Sequence, residues 1–142
     1  VWSLDNTKMY YIDTPTGRVD AFDYDHESGD IANRRPAITF PEGVGMPDGM
    51  TGDADGNLWV AHWGGSRVTC WNPETGELLD TIHVPAAQVT ACAFSGPNLD
   101  ELYITCARRG LSAEALADQP LAGGLFIAKP GVKGLPPHRY GD

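Results

Sequence analysis

Three stretches of the chain repeat one pattern of apolar strands, and this repeat limits the fold more than any other feature. KMYYIDTPTGRVDAFDYDHESGDI, NLWVAHWGGSRVTCWNPETGELLDTI and ELYITCARRG…GGLFIAKPGVKGL each hold an apolar-aromatic strand, a polar or glycine break and a second alternating strand. Pairing Met9 with Leu58 and Leu58 with Leu102 gives offsets of 49 and 44 residues. A period of roughly 40–50 residues with several strands in each unit is the mark of β-propeller blades. The second strands alternate as half-buried strands do, with Val19, Ala21 and Phe22 in the first copy and Val68, Cys70 and Trp71 in the second. HESGD and NPETGE close hairpins, with glycine where positive φ is needed.

Ahead of each aromatic strand lies a shorter one, VWS, MTGD or CAFS, which reads as the innermost strand of its blade. Only the third copy carries a long insertion, RRGLSAEALADQPLA, and its centre from Ser112 to Gln119 predicts a short helix capped by Ser112. The expected fold is therefore all-β, a single domain of about three four-stranded blades at residues 1–45, 46–88 and 89–142. Known propellers need at least about four blades to close. A three-blade arc exposes an inner wall and two sheet edges, which predicts self-association or pairing with further blades.

A length of 142 residues suits one domain. Nineteen acidic against ten basic residues give a net charge of −9, and no basic cluster is denser than Arg34-Arg35 or Arg108-Arg109. Nucleic acid and anionic membrane are poor partners for such a surface, whereas cations and small neutral molecules remain open. No apolar run reaches the ~18–20 residues of a membrane helix, and the start VWSLDN lacks the pattern of a signal peptide. The first residue is not methionine, which suggests a processed or truncated chain. Cys70, Cys92 and Cys106 sit in apolar segments without C-x-x-C spacing. They read as buried free thiols, consistent with a reducing, cytoplasmic setting.

Asp48, in GMPDGMTGDADGNLWVAHWGG, lies two residues before Met50 at the start of the innermost strand of its blade. Its counterpart in the third copy is Thr90, in QVTACAF. Innermost strands converge on the central channel, so these side chains are candidates to line its mouth. Two or three such side chains from successive blades can give a hard cation its oxygen ligands at roughly 2.3–2.6 Å, and one aspartate cannot. P-D-G is equally a common turn sequence. Asp13, His62 and the Thr105-Cys106 pair end the second strands of their copies and are candidates to rim the same mouth, His62 reading otherwise as a polar loop residue. Asp53-Ala54-Asp55-Gly56-Asn57 has the look of a calcium loop, but its glycine falls at position four, and position twelve is Gly64. A hairpin turn is the better reading. His26, His83 and His138 share no spacing and read as surface residues. No G-x-S-x-G elbow is present, and the Gly64-Gly65 and Gly123-Gly124 pairs read as bends.

The blocks WSLDN…MYYIDTPTGRVDAFDYDHESGDIANRR, MPDGMTGDADGNLWVAHWGGSRVTCWNPETGELLDTI, VTACAFSGPNLDELYITCARRGL and QPLAGGLFIAKPGVKGLPPHRY resemble the C-terminal half of the SMP-30/gluconolactonase/regucalcin family of six-bladed propellers. The resemblance covers essentially the whole chain. It implies a divalent-metal-dependent lactonase that hydrolyses a sugar lactone, with Ca²⁺, Zn²⁺, Mn²⁺ or Mg²⁺ as cofactor. It also implies that Asp48 is both a metal ligand and the general base. The family's asparagine ligand would fall just before Val1. Its glutamate ligand and its substrate-holding arginine and asparagine fall in the other half. His62, Thr90 and Asp13 are the substrate-binding candidates within this chain. The resemblance therefore implies an incomplete site, with weak metal binding and little lactonase activity in the isolated chain. The rival expectation is a non-catalytic half-propeller that self-associates, and a calcium-binding regulatory role is a third.

Overall fold

The computed structural model describes residues 1–137. His138 lies outside them, as does the end of the third expected blade. Among the described residues, ten strands form three antiparallel sheets in chain order. The first sheet joins β1 (Lys8–Asp13), β2 (Arg18–Tyr24) and β3 (Ile31–Thr39). The second joins β4 (Met46–Gly52), β5 (Leu58–Trp63), β6 (Arg67–Asn72) and β7 (Glu77–His83). The third joins β8 (Val89–Ser95), β9 (Glu101–Cys106) and β10 (Leu125–Ala128).

The three repeats thus become three blade-like sheets, and among the described residues only the middle one has four strands. The innermost strand of the first is reduced to a single bridge between Trp2 and Met9, with Tyr10 N–H donating to the Val1 carbonyl at 2.7 Å. The third sheet ends at β10, and the chain then crosses to the second, where Gly134 bridges Asp53. The turn predictions hold. Gly29 and Gly76 close HESGD and NPETGE with φ of 79° and 71°. The insertion folds as α1 (Ala113–Asp118), with Ser112 Oγ accepting from the Ala115 N–H at 3.1 Å.

Strand alternation decides which residues form the two cores. On β5, Leu58 and Val60 face the first sheet and join Tyr10, Val19, Ala21, Ile38 and Trp71. Trp59 and Ala61, one residue out of phase, face the third sheet and join Cys70, Val89, Cys92, Leu102 and Ile104. Each sheet is therefore held by apolar faces on neighbouring sheets, as the blades of a propeller are. Cys70 and Cys92 are buried in the second of these cores, and burial pushes both thiols up to about 12. Cys106 departs from the buried reading. It is half-buried at the end of β9, where its sulfur accepts from the Gly123 N–H at 3.2 Å.

Candidate functional site

β4 and β8, the first strands of their sheets, pack against each other. Both carry a bulge near their first residues. On β4, Pro47 pairs with His62 and Met50 with Val60, so Asp48 and Gly49 together oppose Ala61. On β8, Val89 pairs with Cys106 and Ala91 with Thr105, leaving Thr90 as the extra residue. The counterpart relation between Asp48 and Thr90 seen in the repeat is thus a shared backbone irregularity. A bulge turns a side chain out of the regular alternation, and this is how a residue of an inner strand is re-aimed.

Gly49 makes the approach of the two strands possible. A Cβ at this position would lie 2.8 Å from both the Ala91 Cβ and the Thr90 carbonyl oxygen. Asp48 and Thr90 are therefore brought to neighbouring positions on adjoining strands. A second pair of glycines fixes the start of β4: a Cβ on Gly45 would lie 2.6 Å from the Gly65 nitrogen, and one on Gly65 would collide with the Val44 carbonyl. The Gly64-Gly65 turn does more than bend. It lets the β5–β6 turn lie backbone to backbone against the segment leading to Asp48.

Asp48 is partly buried, and its carboxyl pKa is raised by burial alone. Among the described residues no hydrogen bond or neighbouring cation offsets that cost, so the group is poised to take a proton or a ligand. In the adjoining sheet, the Thr90 and Thr105 hydroxyls lie 2.8 Å apart, and Thr105 Oγ1 also reaches the Ala91 carbonyl at 3.4 Å. Together they offer one carboxylate and two neutral hydroxyls. Among the described residues no three His, Cys, Asp or Glu side chains come together as a metal site. Asp48 fits a divalent cation as one ligand of a set, and the described residues do not complete that set.

The other candidates are placed elsewhere. Asp13 is exposed at the end of β1, where its carbonyl accepts from Thr16 Oγ1 at 2.7 Å in the turn to β2. His62 does not rim the mouth. It is fully buried, in phase with Leu58 and Val60 on the β5 face that meets the first sheet. Its Nε2 lies 2.6 Å from Thr69 Oγ1, which also accepts from the Trp71 indole N–H at 2.6 Å, and the Phe40 ring stands edge-on to it at 5.0 Å. Nδ1 has no hydrogen-bond partner of good geometry, the Gly45 backbone offering only a weak contact, and burial holds the pKa down at about 4. Asp53 is a structural turn residue. Its buried carboxylate accepts from the backbone N–H groups of Asp55 and Asn57, the Asn57 amide and the Trp59 indole. His26 and His83 are exposed, as expected.

Sequence reasoning missed Gly49 and Thr69. Gly49 reads as a turn glycine in P-D-G, and only the packing of β8 reveals the close approach. Thr69 has no motif, yet alternation puts it across from Val60 on the face that buries His62.

A family model described as the SMP-30/Gluconolactonase/LRE-like region matches residues 1–108. Regucalcin of Sus scrofa is 49% identical over 140 residues, covering 98% of this chain and 47% of its own. Among solved structures, a luciferin-regenerating enzyme superposes with a TM-score of 0.86 at 46% identity, covering 94% of this chain and 45% of that one. A protein of Agrobacterium tumefaciens described as a calcium-binding regucalcin gives a TM-score of 0.88 at 31% identity, again over 94% of this chain and 45% of its own. The chain spans about half the length of the curated relatives it matches.

Proposed function

As the chain belongs to the SMP-30/Gluconolactonase/LRE-like family, we propose that it supplies part of a divalent-metal-dependent lactonase acting on a sugar lactone, with Asp48 as a metal ligand and the general base. The observation that carries this reading is the uncompensated, partly buried carboxylate in the bulge of an innermost strand. A divalent cation supplies Lewis acidity toward the lactone carbonyl. The part of Asp48 is to hold one coordination position and to accept the proton of the attacking water, a task that its raised pKa favours. Thr90 and Thr105 add neutral hydroxyls suited to a polyol substrate. The described residues do not complete a ligand set around Asp48, so the isolated chain is expected to bind metal weakly and to turn over little substrate.

The test is a chimera in which residues 1–142 replace the matching half of the Sus scrofa relative. Hydrolysis of gluconolactone is then measured with Ca²⁺, Zn²⁺, Mn²⁺ and Mg²⁺ in turn. Activity lost on Asp48→Asn, with the circular dichroism spectrum unchanged, supports the reading, and retained activity removes Asp48 from the mechanism. The description of the Agrobacterium protein as calcium-binding favours a second reading, a calcium-binding ring without lactonase activity. In that case the same chimera binds Ca²⁺ through Asp48 and hydrolyses nothing.

A further inference from the structure

The segment that leads into Asp48 meets the buried His62 at three points. Phe40, where the chain leaves β3, stands edge-on to the imidazole at 5.0 Å. The Gly45 backbone, just before β4, makes a weak contact with the ring. Pro47, the residue before Asp48, is buried and pairs with His62 across the β4–β5 ladder. The turn after β5 closes the fourth side. Gly65 donates its N–H to the His62 carbonyl at 3.1 Å, and a Cβ on Gly65 would lie 2.8 Å from the His62 Cβ.

The hydrogen bonds beneath this segment run in one direction. An indole N–H only donates, so the 2.6 Å bond from Trp71 makes the Thr69 hydroxyl an acceptor and leaves its own proton to be donated. His62 Nε2 lies 2.6 Å from the same oxygen and is the acceptor for it. The neutral ring then carries its proton on Nδ1. Nδ1 is thus a buried donor without a partner of good geometry. The Gly45 contact favours the protonated ring, as a carbonyl oxygen does. Buried donors are nearly always paired in folded proteins, and the pairing open to this one is with the segment that carries Asp48.

We propose that His62 is a positioning residue for Asp48, extending the Trp71–Thr69 hydrogen bonds to the Gly45 backbone and so fixing the path by which β4 enters its bulge. The role assumes the lactonase reading of Asp48, and the two are tested by different measurements. A group that orients a metal ligand from behind contributes roughly 10–100-fold to metal affinity or activity.

Two amides separate the ring nitrogens. Glutamine reaches the Nε2 position and keeps a bond to Thr69, whereas asparagine reaches the Nδ1 position and keeps a donor for Gly45. Both delete the ring, so both lose its packing. Hydrogen–deuterium exchange of the chain is followed by mass spectrometry in peptides covering residues 41–49 and 67–83. Exchange in 41–49 should be faster in His62→Gln than in wild type or His62→Asn, with 67–83 alike in the two variants. In the chimera, His62→Gln should weaken Mn²⁺ binding by roughly 10–100-fold and lower kcat with KM little changed, and His62→Asn should recover most of both. If the amides do not fold, Thr69→Val keeps the ring, removes what fixes its tautomer, and should speed exchange in 41–49 alone. Unchanged exchange in 41–49, equal acceleration in the two amide variants, or acceleration spread over both peptides would each reduce His62 to core packing and overturn the inference. A wild-type chimera that neither binds metal nor hydrolyses lactone sinks the lactonase reading instead, and the exchange pattern still decides whether His62 holds the segment.

Discussion

Gly49 on β4 and Ala91 on β8 touch so closely that a Cβ on Gly49 would stand 2.8 Å from that of Ala91. This contact links the second and third sheets at the level of Asp48. Gly49 does not have a positive φ, so alanine is tolerated by the backbone and refused by the neighbour. Gly49→Ala must move the Ala91 backbone or part the strands. Overpacking of this kind costs roughly 1–3 kcal/mol. A lowered urea midpoint with an unchanged m-value is the expected result. A midpoint equal to wild type would show that the inner strands yield freely.

His62 makes stability depend on pH. Its pKa is about 4 in the folded chain, against an ordinary value of 6.5. Between these values the unfolded chain binds a proton that the folded chain refuses, so ∂ΔG/∂pH is positive there. The contribution is fully present above pH 6.5 and is lost as pH falls toward 4. Its size is on the order of 3 kcal/mol. Asp23, Asp25 and Glu74, whose pKa values are lowered by hydrogen bonds, lose their contributions at lower pH. Denaturant titrations from pH 7 to 4.5 should show the slope in the wild type and a flatter profile in His62→Gln. Equal slopes in the two would assign it to other groups.

Much of this architecture is legible because the repeat is strong. Alternation places Val19, Ala21 and Val68 in cores, and the glycines of HESGD and NPETGE announce their turns, since both are local physical demands. The capped helix at Ser112 is legible for the same reason. The strand count is not: the innermost strand of the first sheet shrinks to the Trp2–Met9 bridge, and after β10 the chain crosses to Asp53 of the second sheet. Asp48 is recognisable from the repeat together with family resemblance, but its bulge is not. His62 misleads because the end of a strand in the sequence suggests the rim, whereas its phase with Leu58 and Val60 buries it against Phe40.

Asp53 ties the β4–β5 turn to the core below it. Asp53→Ala removes four hydrogen bonds at once and leaves the buried Trp59 indole N–H without an acceptor. An orphaned buried donor alone costs about 1–3 kcal/mol. Asp53→Asn keeps one oxygen and turns an N–H₂ toward a donor, so it should fall between wild type and alanine. Urea unfolding followed by tryptophan fluorescence checks the order. Equal stability of the three proteins would mean that water replaces the carboxylate.

Asp20 is 1% exposed and is held by the Arg18 guanidinium at 2.8 Å and by two bonds from Arg34, the shorter at 2.6 Å. The arginine side chains are 38% and 47% exposed. What each substitution leaves behind decides its cost. Asp20→Asn leaves two guanidinium groups that can turn to water, a loss of about 1–2 kcal/mol, below the 3–5 kcal/mol typical when a fully buried charge is stranded. Arg18→Met with Arg34→Met strands the carboxylate itself in a site closed to solvent, and should approach that larger range. Restoring neutrality in the triple variant, with Asp20→Asn added, should recover part of the loss. Equilibrium unfolding of the three proteins measures this, and a triple variant less stable than the double would show that hydrogen bonding rather than charge governs the cluster.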